Sequence, residues 1–340
     1  MRAYRVITAG QAELVEIDRP RPGPGEVLLQ VAATGVCHSD VFIRNALPAL
    51  RMTLPVTLGH EVVGVVTEVG EGVKQWETGQ QVAAYVMRGC GRCAPCRRGH
   101  DNFCHVGYLG LGTHFDGGMA DYMAIPADAI ADATGLDPVA AAPLTDAGLT
   151  ALHTVNSLRL GNGPPARTAV IGVGGLGHLA LQLVAHRFDT EIVAVDRDPN
   201  RLELARKLGA HRTVLADGSE AAAILDLAGG REVDAVLDFV GSDATLRVAA
   251  AVTNRGAQIV VAGLGGGSVP FEALSVSTVS PEVSLLRVSA GSRHELREAL
   301  ELGRAGVLHA ETATYPLEQA GRAIDDVDAG AVIGRAVLVP

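Results

Sequence analysis

The chain has 340 residues, with 48% hydrophobic and 19% charged side chains and a formal net charge of −10. This length exceeds a single hydrophobic core, so two domains are expected, and the apolar content excludes an intrinsically disordered protein. No apolar run approaches the ~18 residues of a membrane-spanning helix, and the negative charge argues against nucleic acid or anionic lipid as a partner. The N-terminus lacks the apolar core of a signal peptide, so the cytoplasm is the expected location.

The first 130 residues are predicted to form short strands separated by turns. Strands are predicted at 26–32, 61–69 and 81–85, where β-branched runs are bounded by turn residues. The proline-glycine segment 20–25 cannot form a helix, because proline fixes φ and restricts the residue before it. This region therefore predicts a compact β-rich domain.

Two isolated residues in this region carry metal-binding side chains. Cys37 lies in the segment Gly-Val-Cys-His-Ser-Asp, and His60 lies between Gly59 and Glu61. Taken singly, such a cysteine is most often a small buried hydrophobic side chain, and such a histidine is often only hydrogen-bonded in the core. Neither residue identifies a site without a third ligand.

Four further cysteines, Cys90, Cys93, Cys96 and Cys104, follow with the spacing C-x2-C-x2-C-x7-C. In a reducing compartment such clustered thiols hold a metal more often than they form disulfides. Four thiolates fill every position around a tetrahedral zinc ion, so a structural zinc site is predicted in a lobe spanning 88–105. A nucleic-acid zinc ribbon is disfavoured, because it prefers two C-x2-C pairs and a basic face.

Asp146 is a candidate for the third ligand. With Cys37 and His60 it offers one sulfur, one nitrogen and one oxygen, and three protein ligands leave a zinc position open for water or substrate. The alternative is that Asp146 caps the helix predicted at 149–158. The residues alone leave both interpretations open.

Beyond residue 147 strands and helices alternate, which predicts a parallel sheet with crossover helices. The predicted strands are 168–172, 191–196, 235–239 and 258–262, and the predicted helices are 176–187 and 200–208. After Ser289 the alternation stops, and helices at 293–302 and 317–327 precede a last strand at 335–339.

A glycine loop, Gly172-Val173-Gly174-Gly175-Leu176-Gly177, lies between the first of these strands and its helix. This is the context in which glycines let the backbone approach a pyrophosphate at a helix N-terminus. The next strand ends in Asp196, whose carboxylate is suited to ribose hydroxyls and repels a 2′-phosphate. NAD is therefore predicted over NADP, although Arg197 and Arg201 nearby can soften that preference.

These motifs, in this order, resemble the zinc-dependent alcohol dehydrogenases of the medium-chain dehydrogenase/reductase superfamily over essentially the whole chain. Within that superfamily the chain most resembles the bacterial NAD-dependent secondary alcohol dehydrogenases. The resemblance implies an α/β plus β fold: a GroES-like β-rich catalytic domain (1–146 and 290–340) with an inserted Rossmann domain, a doubly wound parallel sheet (147–289). It also implies NAD, two zinc ions per chain and a homotetramer, with a dimer as the second choice.

The resemblance further assigns roles to particular residues. It makes Cys37, His60 and Asp146 the catalytic zinc ligands, and it places Asp40 and Glu61 behind them, where carboxylates orient the histidine. Ser39 is the implied proton acceptor, with His38 as one candidate for the next step. The implied cofactor contacts are His38, Gly172, Gly174, Gly175, Leu176, Gly177, Asp196, Arg197, Arg201, Val240, Gly263, Leu264 and, at the pyrophosphate, Arg335.

Two positions depart from the family pattern. Phe42 stands where many members end the proton relay in a histidine, so the last step is assigned to water, a ribose hydroxyl or His38. Gly79-Gln80 replaces the usual Gly-Asp, which we interpret as a local turn change. Phe42 and Tyr85 are candidate walls of an apolar substrate pocket, with ordinary core packing as the alternative.

The predicted function is hydride transfer between NAD and a small secondary, apolar alcohol or the corresponding ketone. A polyol, threonine or primary-alcohol dehydrogenase of the same superfamily is an alternative. An alternative from another class is a non-catalytic protein that binds NAD and zinc.

Overall fold

The computed structural model describes residues 1–45, 50–107, 109–159, 161, 163–227, 232–270 and 279–340. They form two compact units. The first unit comprises Met1–Leu149 and Ala290–Pro340, and the second comprises Thr150–Ser289. Within the described ranges, no helix combines the length and apolar character needed to cross a membrane.

The elements up to residue 156 are mostly short strands. The strands are β1 (Arg2–Thr8), β2 (Gln11–Glu16), β3 (Glu26–Val36), β4 (Val56–Thr57), β5 (Glu61–Val69), β6 (Gln81–Ala84), β7 (Met87–Arg88), β8 (Leu109–Gly110), β9 (Tyr122–Pro126) and β10 (Ile130–Asp132). The helices are α1 (His38–Arg44), α2 (Ala94–Arg97), α3 (Pro138–Ala141) and α4 (Ala147–Asn156), with 3-10 turns at Asp101–Phe103 and Ala142–Thr145.

Strands and helices then alternate before the chain returns to the first unit. The alternating part contains β11 (Arg167–Ile171), α5 (Gly177–Arg187), β12 (Glu191–Asp196), α6 (Pro199–Lys207), β13 (Arg212–Leu215), α7 (Glu220–Leu227), β14 (Val233–Asp238), α8 (Asp243–Val252), β15 (Thr253–Val261) and β16 (Ser284–Arg287). The last part contains α9 (Arg293–Arg304), β17 (Thr312–Pro316), a 3-10 turn (Leu317–Gln319), α10 (Ala320–Asp328) and β18 (Arg335–Val339).

The first unit is organised around β3. Its main sheet has the order β10-β6-β5-β3-β18-β17, β9 also pairs with β3, and β2-β1-β4 form a smaller sheet. Most residues of β3 are buried, and its side chains belong to two hydrophobic clusters. The end of β3 is therefore an interior position, and the metal-binding residues described below are found there.

The second unit contains a parallel sheet of order β13-β12-β11-β14-β15-β16. Every residue of β11 is buried, as expected for a strand covered by helices on both faces. The chain runs outward from β11 to β13 and then returns to β14 on the other side. Ligands of such sheets bind at the carboxyl ends of the strands, at this switch point.

The strands predicted at 61–69, 191–196 and 335–339 have those bounds in the structure. The elements that were not predicted include strands β1, β2, β13, β16 and β17 and helices α7 and α8. β16 shows why, since all four of its side chains are exposed and its sequence has no alternation between polar and apolar residues to reveal a strand.

Candidate metal centres and dinucleotide loop

The pairing of β3 with its neighbours collects residues that are far apart in sequence. β3 and β5 are antiparallel, with Gly35 opposite Glu61, and β18 flanks β3 on its other side. Cys37 directly follows β3, His60 directly precedes β5, and Arg335 opens β18. All three residues therefore lie at one end of the sheet.

Local backbone features fix the first two of these positions. Cys37 is the N-cap of α1, and its N–H donates to the Asp40 carboxylate (Oδ2) at 2.8 Å. Gly59, before His60, has φ +96, and a Cβ there would lie 2.7 Å from the backbone N of Met119. Only glycine lets the chain turn into β5 at this point.

Cys37, His60 and Asp146 come together as a group. One ligand atom from each residue, the Sγ, a ring nitrogen and a carboxylate oxygen, lies within 4.8 Å of the other two. The His60 Nε2 is 3.5 Å from the Asp146 Oδ2 and 3.3 Å from the Ser39 Oγ. On the other side of the ring, the His60 Nδ1 is 3.3 Å from the buried Asp40 Oδ1, as expected of a carboxylate that orients a ligating histidine.

The charges around this group favour a bound cation. Burial lowers the pKa of His60, but the charge of Asp40 and the hydrogen bond that His60 donates to the Asp146 carboxylate outweigh it and hold that pKa well above its usual value. Burial raises the pKa of Asp146, yet the hydrogen bond and charge of His60 lower it to about 2. The carboxylates of Asp40 and Asp146 and the converging S, N and O donors fit a zinc ion with one position left open.

A buried ion pair lies beneath the group. Arg335 is only 4% exposed, its Nε donates to the Glu61 Oε2 at 3.0 Å, and its Nη2 contacts the Glu61 Oε1. The same Nη2 lies 3.5 Å from the Asp146 Oδ2. In the structure Arg335 thus contacts Glu61 and Asp146, and its implied contact with the cofactor pyrophosphate stays a prediction. A buried carboxylate such as Glu61 requires a cation of this kind.

Glu61 also accounts for the start of α4. Its Oε1 accepts the N–H of Ala147 at 3.1 Å, so the first N–H group of this helix is bound by a residue of β5. Gly35 provides the space, because a Cβ there would lie 1.8 Å from the Glu61 Oε2. The Asp146 carboxylate is turned towards His60.

The four remaining cysteines form a second group. One sulfur from each of Cys90, Cys93, Cys96 and Cys104 lies within 4.8 Å of the others. The N–H groups of Cys90 and Cys93 point at the sulfurs of Cys104 and Cys90, both at 3.3 Å. The N–H groups of Cys96 and His105 lower the pKa of Cys93 to about 6, whereas burial and the Cys93 thiol raise the pKa of Cys96 to about 12. Four sulfur donors in this arrangement fit a closed tetrahedral zinc site.

Replacing Cys93 by Ser is expected to remove one of the two zinc ions per chain and to lower the melting temperature. A hydroxyl is a poor substitute for a thiolate, and structural zinc contributes directly to folding. Elemental analysis and thermal unfolding measure both effects. Arg92→Ala changes an exposed residue between two of the cysteines and should leave both values unchanged. Unaltered zinc content in Cys93→Ser would show that the quartet does not bind the metal.

The structure buries Tyr85, which favours core packing, the alternative given for this residue, over a pocket wall. Its ring is 2% exposed, and its hydroxyl donates to the Gly291 carbonyl at 2.6 Å and lies 3.3 Å from the Asp101 Oδ1. Asp101 in turn accepts a hydrogen bond from the Arg293 Nε at 2.8 Å. A buried tyrosine hydroxyl needs such partners, and here they attach the cysteine lobe to the start of α9.

The glycine loop of the second unit has the geometry that its sequence predicts. Gly172 has φ +87, and a Cβ at Gly177 would lie 1.8 Å from the Gly172 carbonyl oxygen. Side chains are therefore excluded at both ends of the turn from β11 into α5. This leaves the backbone accessible at the N-terminus of an 11-residue helix, the position that binds a pyrophosphate in this motif.

Asp196 supports this loop directly. It lies at the end of β12, and its carboxylate accepts the N–H of Val173 at 2.7 Å and that of Asp198 at 2.9 Å. The Arg201 Nη1 lies 3.8 Å from the position that a Cβ of Gly174 would occupy, whereas Arg197 is exposed at the surface. Of the two arginines, Arg201 is the one at the loop.

The other residues implied in cofactor binding lie at different places. Val240 and Leu264 are exposed beyond the ends of β14 and β15, and Gly263 packs against the backbone of Val240. His38 is exposed at the start of α1, and its ring meets that of Phe42 edge-on with the centroids 5.6 Å apart. Phe42 is half-buried, and its role as a pocket wall stays a prediction.

Comparisons with known proteins agree with this picture. The family profile described as "Alcohol dehydrogenase GroES-like domain" matches residues 23–134, and the profile "Zinc-binding dehydrogenase" matches residues 175–305. The NAD-dependent alcohol dehydrogenase of Sulfurisphaera tokodaii is 33% identical over 365 aligned residues, covering 100% of both chains.

Two solved structures share the fold. The alcohol dehydrogenase of the archaeon Aeropyrum pernix has a TM-score of 0.90 and 32% identity, with 100% of both chains covered. The acetophenone reductase of Geotrichum candidum, solved in complex with NAD, has a TM-score of 0.85 and 27% identity, covering 100% of this chain and 97% of the other. The predictions of family, fold class, enzyme class and cofactors are confirmed by these matches.

Proposed function

Because the chain belongs to the zinc-dependent alcohol dehydrogenases of the medium-chain dehydrogenase/reductase superfamily, we propose that its substrates are small secondary, apolar alcohols and the matching ketones. The enzyme transfers a hydride between an alcohol and NAD and uses two zinc ions. The observation that best supports this reaction is that one ligand atom each of Cys37, His60 and Asp146 lies within 4.8 Å of the other two. A related structure named acetophenone reductase supports the ketone class.

Each residue of the first metal group has a role in this proposal. Cys37, His60 and Asp146 hold the catalytic zinc, while Asp40 orients the His60 ring and Glu61 and Arg335 support the Asp146 segment. When bound, the zinc ion supplies Lewis-acid stabilisation of negative charge on the substrate oxygen, and NAD supplies the hydride acceptor. Cys90, Cys93, Cys96 and Cys104 hold the structural zinc.

A panel of alcohols tests the substrate class. Secondary alcohols such as 2-butanol and 1-phenylethanol should give higher kcat/KM than ethanol, threonine or sorbitol. With the best alcohol, NAD should exceed NADP in kcat/KM by about tenfold or more, because Asp196 places a carboxylate where a 2′-phosphate would lie. Highest kcat/KM with sorbitol or threonine would contradict the substrate class, and a ratio favouring NADP would contradict the assignment of Asp196.

Ser39 is proposed to accept the alcohol proton. Its Oγ lies 3.3 Å from the His60 Nε2, which puts the hydroxyl next to the ligand atoms. Replacing Ser39 by Ala should lower kcat for alcohol oxidation by roughly 10²-fold or more, the usual contribution of a positioned proton-transfer group. Zinc content and NAD affinity should stay normal. A variant with full kcat and an unchanged solvent isotope effect would assign the proton step elsewhere.

We further propose that the enzyme acts in the cytoplasm as a homotetramer, with a homodimer as the alternative. The cysteines are free thiols, which suits a reducing compartment. In the described part of the second unit, β16 is the last strand of its sheet, and its exposed side chains include Leu285 and Leu286. An apolar edge strand of this kind is a template for pairing with a second copy. Light scattering on the intact enzyme tests this, and a monomeric mass would contradict it.

A further inference from the structure

Asp238 occupies the centre of the carboxyl edge of the parallel sheet. It is the last residue of β14, it lies opposite Ile171 of β11 and Val261 of β15, and it is fully buried. Asp238 belongs neither to the glycine loop nor to the two metal-binding groups. A buried carboxylate at the end of a strand must be stabilised by hydrogen bonds.

The carboxylate of Asp238 binds the turn that follows β14. Its Oδ1 accepts the N–H of Val240 at 2.8 Å and the N–H of Gly241 at 2.9 Å. Burial raises the pKa of Asp238, and these two N–H groups oppose that rise. The side chain therefore fixes two consecutive peptide groups.

The main chain of Asp238 binds the turn that follows β15. Its carbonyl oxygen accepts the N–H of Ala262 at 2.9 Å and that of Gly263 at 3.1 Å. The two turns are also joined directly, because the N–H groups of Gly265 and Gly267 donate to the carbonyls of Val240 and Gly241, both at 2.9 Å.

Glycines are required where these turns meet. A Cβ at Gly263 would lie 2.1 Å from the carbonyl carbon of Val240, and a Cβ at Gly241 would lie 2.6 Å from the Gly263 carbonyl oxygen. The turns therefore form a closely packed wall, defined here as residues 240–241 and 263–267. On its other side the wall reaches the glycine loop, since the Val240 Cγ2 would lie 2.7 Å from a Cβ at Gly172.

The position of this wall relates it to one half of the dinucleotide. Asp196 lies at the end of β12, on one side of β11, and the wall lies at the ends of β14 and β15, on the other side. A dinucleotide crosses such a sheet with its pyrophosphate at the loop after β11 and its adenosine ribose at the acidic residue after the next strand. When bound in this way, the nicotinamide half would extend over β14 and β15.

We propose that Asp238 is a positioning residue for the nicotinamide half of NAD, acting through the wall formed by residues 240–241 and 263–267. This inference rests on the NAD dependence of the enzyme. It assigns to Asp238 no contact with the alcohol and no part in proton transfer.

The test measures binding of NAD and of AMP to the zinc-loaded enzyme by titration calorimetry without alcohol. Asp238→Ala should raise the Kd for NAD by about tenfold, the cost of losing a hydrogen-bonded support at a binding surface. The Kd for AMP, which occupies only the β12 side, should change by less than about twofold. Asp238→Asn keeps an oxygen that accepts both N–H groups and should bind NAD nearly as the natural enzyme does.

A matched control lies on the same strand. Asp234 also accepts two backbone N–H groups, those of Ala166 at 2.8 Å and Arg167 at 3.0 Å, but it does so at the amino end of β14. Asp234→Ala should reduce stability while leaving both Kd values unchanged. The proposal would be overturned if Asp238→Ala raised the Kd values for NAD and AMP equally, or if Asp234→Ala also raised the Kd for NAD. Either result would show that Asp238 has only a general structural role.

A second variant keeps the test valid if Asp238→Ala does not fold. Gly241→Ala leaves the carboxylate of Asp238 intact, but the added Cβ clashes with the Gly263 carbonyl oxygen. This variant should therefore also raise the Kd for NAD and leave the Kd for AMP unchanged. An unchanged Kd for NAD in that variant would contradict the role of the wall. Because the titrations contain no alcohol, an error in the proposed substrate class would not alter them.

Discussion

Replacing Asp146 by Asn is expected to reduce the zinc content from two ions to one per chain and to lower kcat/KM by roughly 10³-fold or more, since a Lewis-acid metal supplies several kcal/mol of transition-state stabilisation. The amide keeps the shape of the carboxylate but loses its charge. In the natural enzyme the His60 Nε2 and the Arg335 Nη2 each lie 3.5 Å from the Asp146 Oδ2. Without the negative charge of Asp146, both groups would face a neutral amide. The weakened ligand set should release zinc while the cysteine quartet retains its ion.

Elemental analysis after dialysis against a mild chelator measures the zinc content, and initial rates with the best secondary alcohol measure kcat/KM. Asp137→Asn is the matched control, because Asp137 caps α3 in the same chain segment and asparagine caps equally well. Two zinc ions and full activity in Asp146→Asn would remove Asp146 from the ligand set.

Replacing Arg335 by Met is expected to lower the free energy of unfolding by about 3–5 kcal/mol, the range for breaking a buried ion pair. The fully buried carboxylate of Glu61 would lose both hydrogen bonds from the guanidinium. Removing the unpaired charge as well, in the double variant Arg335→Met/Glu61→Gln, should recover part of the loss. The amide oxygen of Gln can still accept the N–H of Ala147.

Urea unfolding of the zinc-loaded enzyme measures these differences. Arg304→Met is the control, because Arg304 forms a more exposed pair with Asp132 at 2.9 Å, and such pairs contribute up to about 1 kcal/mol. Similar losses in the two single variants, or a double variant less stable than Arg335→Met, would contradict the view that Arg335 compensates a buried charge beneath the metal site.

The parts of the site that depend on local sequence could be predicted. The cysteine quartet spans a single loop, so its spacing alone indicates a closed metal site. The glycine loop is equally local, because the tight turn and the packing of Gly177 on Gly172 involve residues of one strand-helix connection. Strand 61–69, with its run of β-branched residues, could be predicted for the same reason.

The parts that depend on strand order could not. Arg335 meets Glu61 only because β18 and β5 both flank β3, and no sequence pattern near residue 335 reveals that arrangement. Tyr85 illustrates a second limit, since its sequence context left a pocket wall and core packing both open, and only the structure shows that Gly291 and Asp101 bind its hydroxyl. Asp238 was missed because its partners are backbone groups, which leave no signature in the sequence.

The most direct measurement is a crystal structure of the enzyme grown with zinc and NAD, with anomalous diffraction recorded at the zinc edge. Two anomalous peaks per chain are expected, one at the cysteine quartet and one at roughly 2.0–2.3 Å from the Cys37 Sγ, a His60 ring nitrogen and an Asp146 carboxylate oxygen. A single peak at the quartet, or a second peak without Asp146 among its ligands, would contradict the account.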